Sequence, residues 1–136
     1  MTTATDQFGS SPMLKLLHLK VTAVGDGTAT VTAEPDPKFE NQMGRMHGGY
    51  VATLIDTAMG RAVMTKLPED TGFGTIDLNV KFVRKIDMDT GLLTATAHVV
   101  HAGRTMFTVE AKVADSNGKL YAHGSGTFLV YPKQDT

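Results

Sequence analysis

The chain has 136 residues, 41% of them hydrophobic, and a formal net charge of -1, so it is sized for one core of its own and too apolar to stay disordered. Its Lys and Arg residues are scattered rather than striped, which argues against a nucleic-acid surface; the lack of cysteine excludes disulfides, thiolate metal sites and a Cys nucleophile. These features fit a cytoplasmic protein.

The opening MTTATDQFGSSP has no basic segment leading into an apolar run and is not read as a secretory signal. Residues 1–136 are expected to form a single domain, with 1–10 and 132–136 flexible. Ser11-Pro12 ahead of MLKLLH reads as an N-cap and first-turn proline opening a short helix. LKVTAVGDGTATVTAEP then reads as two strands joined at Gly25-Asp26-Gly27, with Pro35 and Pro37 ending the second.

A long helix is expected from about Gly48 to Lys66. Val51, Leu54, Ile55, Ala58 and Ala62 recur at helical spacing and form its apolar stripe. Leu67-Pro68 stops it, and EDTGFG reads as a loop. Interruption by Asp56 and the richness in Gly and Thr argue against a membrane span.

Four strands are expected next. In Thr75 to Val83, strict alternation places Ile76, Leu78, Val80 and Phe82 on one face and Thr75, Asp77, Asn79 and Lys81 on the other. Leu92 to His101, Arg104 to Asp115 and Lys119 to Tyr131 follow, the last two joined by Ser116-Asn117-Gly118. These four read as an antiparallel meander. The expected fold class is α+β: a curved antiparallel sheet of five to six strands wrapped around one long central helix.

The chemistry concentrates at the start of that helix and at its lone acid. Backbone N–H groups in a first helical turn lack partners and carry positive partial charge. Gly48 and Gly49 leave room for a ligand oxygen to approach them, as an oxyanion hole requires, although paired glycines also serve a tight entry into a helix or let another strand pass close by. Asp56 is a poor residue for a helix interior. Its neighbours at i±3 and i±4 are Ala52, Thr53, Met59 and Gly60, none of them a cation; the plainer alternatives are a solvated Asp on the outer face or one bonded to a strand.

The rise from Gly48 to Asp56 is about 12 Å. A reacting carbonyl must lie about 3 Å from its oxyanion donors and about 3–3.5 Å from the attacking atom. One helix cannot easily supply both groups to one carbonyl, so joint action requires two subunits with helices antiparallel across a two-fold axis.

NQMGRMHGGYVATLID resembles the signature of hotdog-fold acyl-CoA thioesterases of the phenylacetate-degradation (PaaI-like) group. Asn41, Gly44, His47, Gly48, Gly49 and Asp56 fit its pattern at each step, and the similarity extends over most of the chain. The resemblance implies acyl-CoA hydrolysis at the interface of a homodimer that assembles into a homotetramer, with no cofactor and no metal. Carried over, the Gly48 N–H polarises the thioester carbonyl, and Asp56 of the partner subunit acts as general base or as nucleophile. Asn41 helps hold the carbonyl or the water, His47 orients Asn41 and its loop, and Thr75 occupies the place of a water-positioning hydroxyl. Gly49, Arg84, Gly103 and Arg104 are candidate substrate contacts, and Tyr50, Leu54 and Phe73 from the facing subunit are expected to set the acyl pocket. Two rivals stand beside this reading: a carrier of acyl-CoA or aromatic ligands that does not hydrolyse them, and a hydratase or dehydratase on a related fold.

The remaining signals are weaker. His98 and His101 are i and i+3 in a strand, should point to opposite faces and so make poor joint ligands. Met59 and Met64 read as core or acyl-pocket fillers, and Gly124 and Gly126 as a bulge or a crowded contact with the helix.

Overall fold

The computed structural model describes residues 10–133, so the expected flexibility of residues 1–9 and 134–136 lies outside the described residues. Helix α1 (Pro12–Leu16) is capped by the Ser11 side chain, which accepts the Leu14 N–H at 3.2 Å. Strands β1 (Leu19–Gly25) and β2 (Thr28–Ala33) form the first hairpin, turning through Asp26-Gly27 with Gly27 at φ 75°. Helix α2 (Gly48–Met64) follows, then β3 (Thr71–Phe82), β4 (Leu93–Ala102), β5 (Met106–Ala114) and β6 (Leu120–Pro132).

All pairings are antiparallel, in the order β1-β2-β4-β5-β6-β3. The six strands agree with the expected count. The expected four-strand meander is corrected: β4-β5-β6 are consecutive neighbours, but β3 crosses to the far edge and pairs with β6, while β2 takes the place beside β4. Period-2 patterning marks strands without naming their partners. EDTGFG is also corrected, because β3 already begins at Thr71, opposite Pro132. Pro132 pairs with Thr71 at the end of the sheet, and the Lys133 N–H donates to the Asp70 carbonyl at 2.9 Å.

The helix-facing sides of β2, β4, β5 and β6 bury Val31, Leu93, Val109, Val113 and Phe128 against α2. All five residues of the expected helical stripe are buried, and so are Tyr50, Met59, Gly60 and Val63. The core therefore covers more than one stripe of α2, as expected for a helix enclosed by a curved sheet. Among the described residues, no helix is long and apolar enough to cross a membrane.

Two bulges change which side chains face inward. β3 shifts register between Thr75 and Asp77, with Ile76 as the extra residue. Thr75 lies opposite the fully buried Phe128, so it faces the helix with Leu78, Val80 and Phe82 rather than outward with Asp77. In β4 a shift between Val99 and His101 places His98 opposite Glu110 and His101 opposite Thr108, both on the outer face. The expectation that these two histidines diverge is thus overturned. No cluster among the described residues is arranged to hold a metal ion.

Candidate active site

Asp56 is half-buried on α2, two turns in, where the helix meets the edge strand. Thr75 Oγ1 donates a 2.9 Å hydrogen bond to Asp56 Oδ1. The bulge at Ile76 permits this contact by turning Thr75 inward. The bond orients the carboxylate and leaves Oδ2 as an acceptor.

At the helix start, His47 is the N-cap: its Nδ1 accepts the Gly49 N–H at 2.8 Å. The Tyr50 and Val51 N–H groups turn back to the His47 carbonyl. Gly48 N–H has no hydrogen-bond partner among the described residues. It therefore remains free to donate to a ligand, at the positive end of a 17-residue helix. The Phe82 ring lies against Gly48, where a Cβ would come within 3.3 Å of Phe82 Cζ.

Asn41 shapes the loop before the helix. Its Oδ1 accepts the N–H of Met43 at 2.9 Å and of Arg45 at 3.2 Å. The expectation that His47 orients Asn41 is corrected: the His47 ring bonds to the helix, and Asn41 is held by its own loop. The Asn41 amide nitrogen has no partner among the described residues and is available to a ligand.

Gly48 and Asn41 open onto a cleft of about 320 Å³ that Phe82, Arg45, Arg84 and Lys85 also line. Three cationic residues thus share a cleft with the free N–H. Arg84 Nη1 donates at 2.7 Å to the Leu120 carbonyl, toward a neighbouring cleft that Lys119 and Tyr121 line. Asp56 is not among the residues of this cleft. Gly103 and Arg104 sit at the β4–β5 turn and are not brought to it either. A larger cleft of about 820 Å³ lies on the outer face of the sheet, among Thr30, Lys81, Lys112 and His123. It contains neither Gly48 nor Asp56.

Leu54 is fully buried in the protomer's own core, and Tyr50 is 4% exposed and stacked on Phe39 with ring centroids 4.9 Å apart. Neither is available to a neighbouring subunit's pocket, which corrects that expectation; Phe73 is half-exposed. Arg61 stands five residues after Asp56, outside the i±3 and i±4 positions that helical spacing singles out. Burial pushes the Arg61 guanidinium pKa down, and the nearby Asp56 charge opposes that shift.

A family model described as the thioesterase superfamily matches residues 43–122, more than half of the chain. The chain belongs to the thioesterase superfamily. The matched span of this superfamily member includes Gly48, Asp56 and Thr75. A Halobacterium salinarum protein with the provisional name of esterase is 36% identical over 130 residues, covering 88% of this chain and 84% of its own. Human acyl-coenzyme A thioesterase 13 is 30% identical over 111 residues, covering 79% and 78% respectively. Among solved structures, a conserved protein of Pseudomonas aeruginosa superposes with a TM-score of 0.84 at 32% identity, over 92% of this chain and 98% of the other. The six-stranded antiparallel sheet around one long helix is the hotdog fold.

Proposed function

We propose that the protein hydrolyses an acyl-CoA thioester to a free acid and CoA, as a homodimer with its sites at the interface, in the manner of the PaaI-like group. The observation that carries this reading is the pairing of one free helix-start N–H, at Gly48, with one hydroxyl-oriented carboxylate, at Asp56, on a single helix. The two lie about 12 Å apart along the axis, too far to serve one carbonyl from the same chain. A second copy with its helix antiparallel brings the Gly48 of one protomer to the Asp56 of the other and forms two equivalent sites.

The free edge of the sheet supports such a dimer. β3 is a 12-residue edge strand, with Ile76 49% and Phe82 56% exposed. A long, apolar, uncovered edge is a liability that pairing with a second copy removes. Such a dimer can assemble further into a homotetramer. The names of relatives support the substrate class, acyl-coenzyme A among them. Arg45, Arg84 and Lys85 line the cleft onto which Gly48 opens, and their charge suits an anionic substrate such as an acyl-CoA.

In the reaction the Gly48 N–H, with the Asn41 amide beside it, donates to the thioester carbonyl oxygen and stabilises the charge that develops there. Asp56 either takes a proton from water as it attacks the carbonyl carbon, or attacks that carbon itself to form an anhydride that water then opens. Thr75 keeps the carboxylate aimed in both cases. Collapse of the tetrahedral intermediate expels the CoA thiolate, a good leaving group that needs no strong acid. His47 supports the site by capping the helix. Gly49 provides close approach, and Arg104 with Gly103 is left for contacts made across subunits.

The test is release of free thiol from a panel of acyl-CoAs by the wild type and by Asp56→Ala and Asp56→Asn. Turnover by the wild type and its loss in both dimeric variants is expected. Full activity in either variant overturns the assignment of Asp56, and binding with no thiol release from any acyl-CoA favours a carrier.

A further inference from the structure

Strand β3 lies along α2: Phe73 rests on Gly60, Thr75 is bonded to Asp56, and the Phe82 ring covers Gly48. A two-fold axis that brings the Gly48 of one protomer to the Asp56 of its partner exchanges the two ends of this contact. It therefore also brings the partner's Phe82 toward Thr75. Thr75 and Phe82 bracket the segment from Asp77 to Lys81, and the axis falls within that segment.

The backbone narrows the choice. A Cβ at Gly124 would overlap the Asn79 carbonyl oxygen, and one at Gly126 would come within 3.2 Å of the Asp77 carbonyl oxygen, so both carbonyls point at β6. The Val83 N–H points the same way and donates to the Tyr121 carbonyl at 2.9 Å. Successive residues of a strand turn their N–H and C=O groups to opposite sides. Leu78, Val80 and Phe82 thus present theirs to the free edge. In a two-fold antiparallel pair such residues must meet one another, which places the axis on a residue rather than between two.

Side-chain charge selects that residue. Asp77, Asn79 and Lys81 share the outer face, opposite Thr127, Ser125 and His123 of β6. Neither Asp77 nor Lys81 makes an ion pair among the described residues. With the axis at Asn79, Asp77 stands opposite the partner's Lys81, and Lys81 opposite the partner's Asp77. Leu78 then meets the partner's Val80, and the exposed Ile76 comes beside the partner's Phe82. With the axis at Leu78 or Val80, one of the two charges faces Asn79 instead. With the axis at Asp77 or Lys81, a charge faces its own copy.

We infer that Asp77 and Lys81 are positioning residues: paired twice across a two-fold axis at Asn79, they set the register in which the Gly48 of one protomer meets the Asp56 of the other. This rests on the dimeric thioesterase proposed above.

The chain has no cysteine, so single cysteines report the register by oxidative cross-linking. Asn79→Cys is expected to cross-link to its own copy, because a non-hydrogen-bonded antiparallel pair sets its Cα atoms about 4.5 Å apart, within reach of a disulfide. Asp77→Cys and Lys81→Cys would each lie about 13 Å along the strand from their own copies. They are expected not to cross-link alone but to cross-link to each other when co-expressed. Asp77→Lys and Lys81→Asp are each expected to weaken the dimer about tenfold in sedimentation, and the double variant to restore it. No cross-link in Asn79→Cys, self-cross-linking of Asp77→Cys or Lys81→Cys, or a double variant no more dimeric than the singles overturns the register. If Asn79→Cys does not fold, the co-expressed pair decides in its place. Thiol release separates this from the catalytic reading. The expected cross-links with no acyl-CoA hydrolysed uphold the register and overturn the thioesterase, whereas hydrolysis without those cross-links overturns the register alone.

Discussion

Thr75 Oγ1 and Asp56 Oδ1 are joined by a 2.9 Å hydrogen bond, although strict alternation along β3 would turn Thr75 away from the helix. One extra residue, Ile76, reverses that. The contact gives the chain an oriented carboxylate on a helix that also begins with a free N–H. The proposed chemistry follows from these two groups.

If Thr75 aims the carboxylate, removing its hydroxyl while keeping its shape reduces turnover more than stability. Thr75→Val is expected to lower kcat by about tenfold or more, as the loss of one hydrogen bond to a charged group implies. Thr75→Ser keeps most of the rate. Thiol-release kinetics beside thermal melts check this, and equal kcat in Val and wild type refutes the role.

The exposed edge of β3 gives a test of assembly. Ile76→Lys with Leu78→Lys places two charges on that edge and is expected to shift the protein from dimer to monomer. Sedimentation velocity reads the assembly, and thiol release should fall with it, because in the proposed dimer each site draws on two chains. A monomer with full activity sinks the split-site proposal.

His47 caps α2 through the Gly49 N–H. His47→Ala is expected to cost about 1 kcal/mol in denaturant unfolding, and His47→Asn much less, because Asn restores a capping oxygen. An Ala variant as stable as the wild type contradicts the capping role.

Tyr50 is buried with no hydrogen-bond partner for its hydroxyl among the described residues, and burial pushes its pKa up to about 12 from an ordinary 10.0. The folded state therefore holds the phenol proton more tightly than the unfolded chain. The resulting stability is fully present below pH 10 and is lost as pH rises through about 12. Tyr50→Phe should remove that alkaline loss and leave neutral-pH stability equal or slightly higher, since a buried unpaired hydroxyl is itself unfavourable. Unfolding free energies at neutral pH and across the alkaline range test both statements.

At Gly124 a Cβ would overlap the Asn79 carbonyl oxygen of the paired strand β3. Gly124→Ala is expected to destabilise the protein by about 1–3 kcal/mol, the cost of forcing a packed contact apart. It should also raise hydrogen exchange in β3 and β6. An unchanged melting temperature argues against the close approach.

Local signals marked much of this architecture. The Asp-Gly and Asn-Gly turns, the Ser11-Pro12 helix start and the stripe from Val51 to Ala62 all lie where residue chemistry places them. Each depends on backbone preferences and hydrophobic spacing within a few residues, so one chain suffices to read it. The motif from Asn41 to Asp56 was equally visible as a set of residue types. Its internal bonding was not, because several arrangements of a His and an Asn in one loop satisfy the same sequence.

Tertiary structure alone decided strand order and inward-facing residues. β3 pairs with β6 across a gap of dozens of residues, a choice that alternation in either strand does not encode. The bulges at Ile76 and in β4 shift the period by one and reverse the faces read from the sequence, bringing Thr75 to Asp56 and His101 to the side of His98. A bulge is set by what the opposite strand and the helix accommodate. Phe73 resting on Gly60 is likewise a relation between an edge strand and a helix. The sequence by itself therefore determined the elements and supplied the reactive groups, whereas the packing of distant segments determined which of those groups meet.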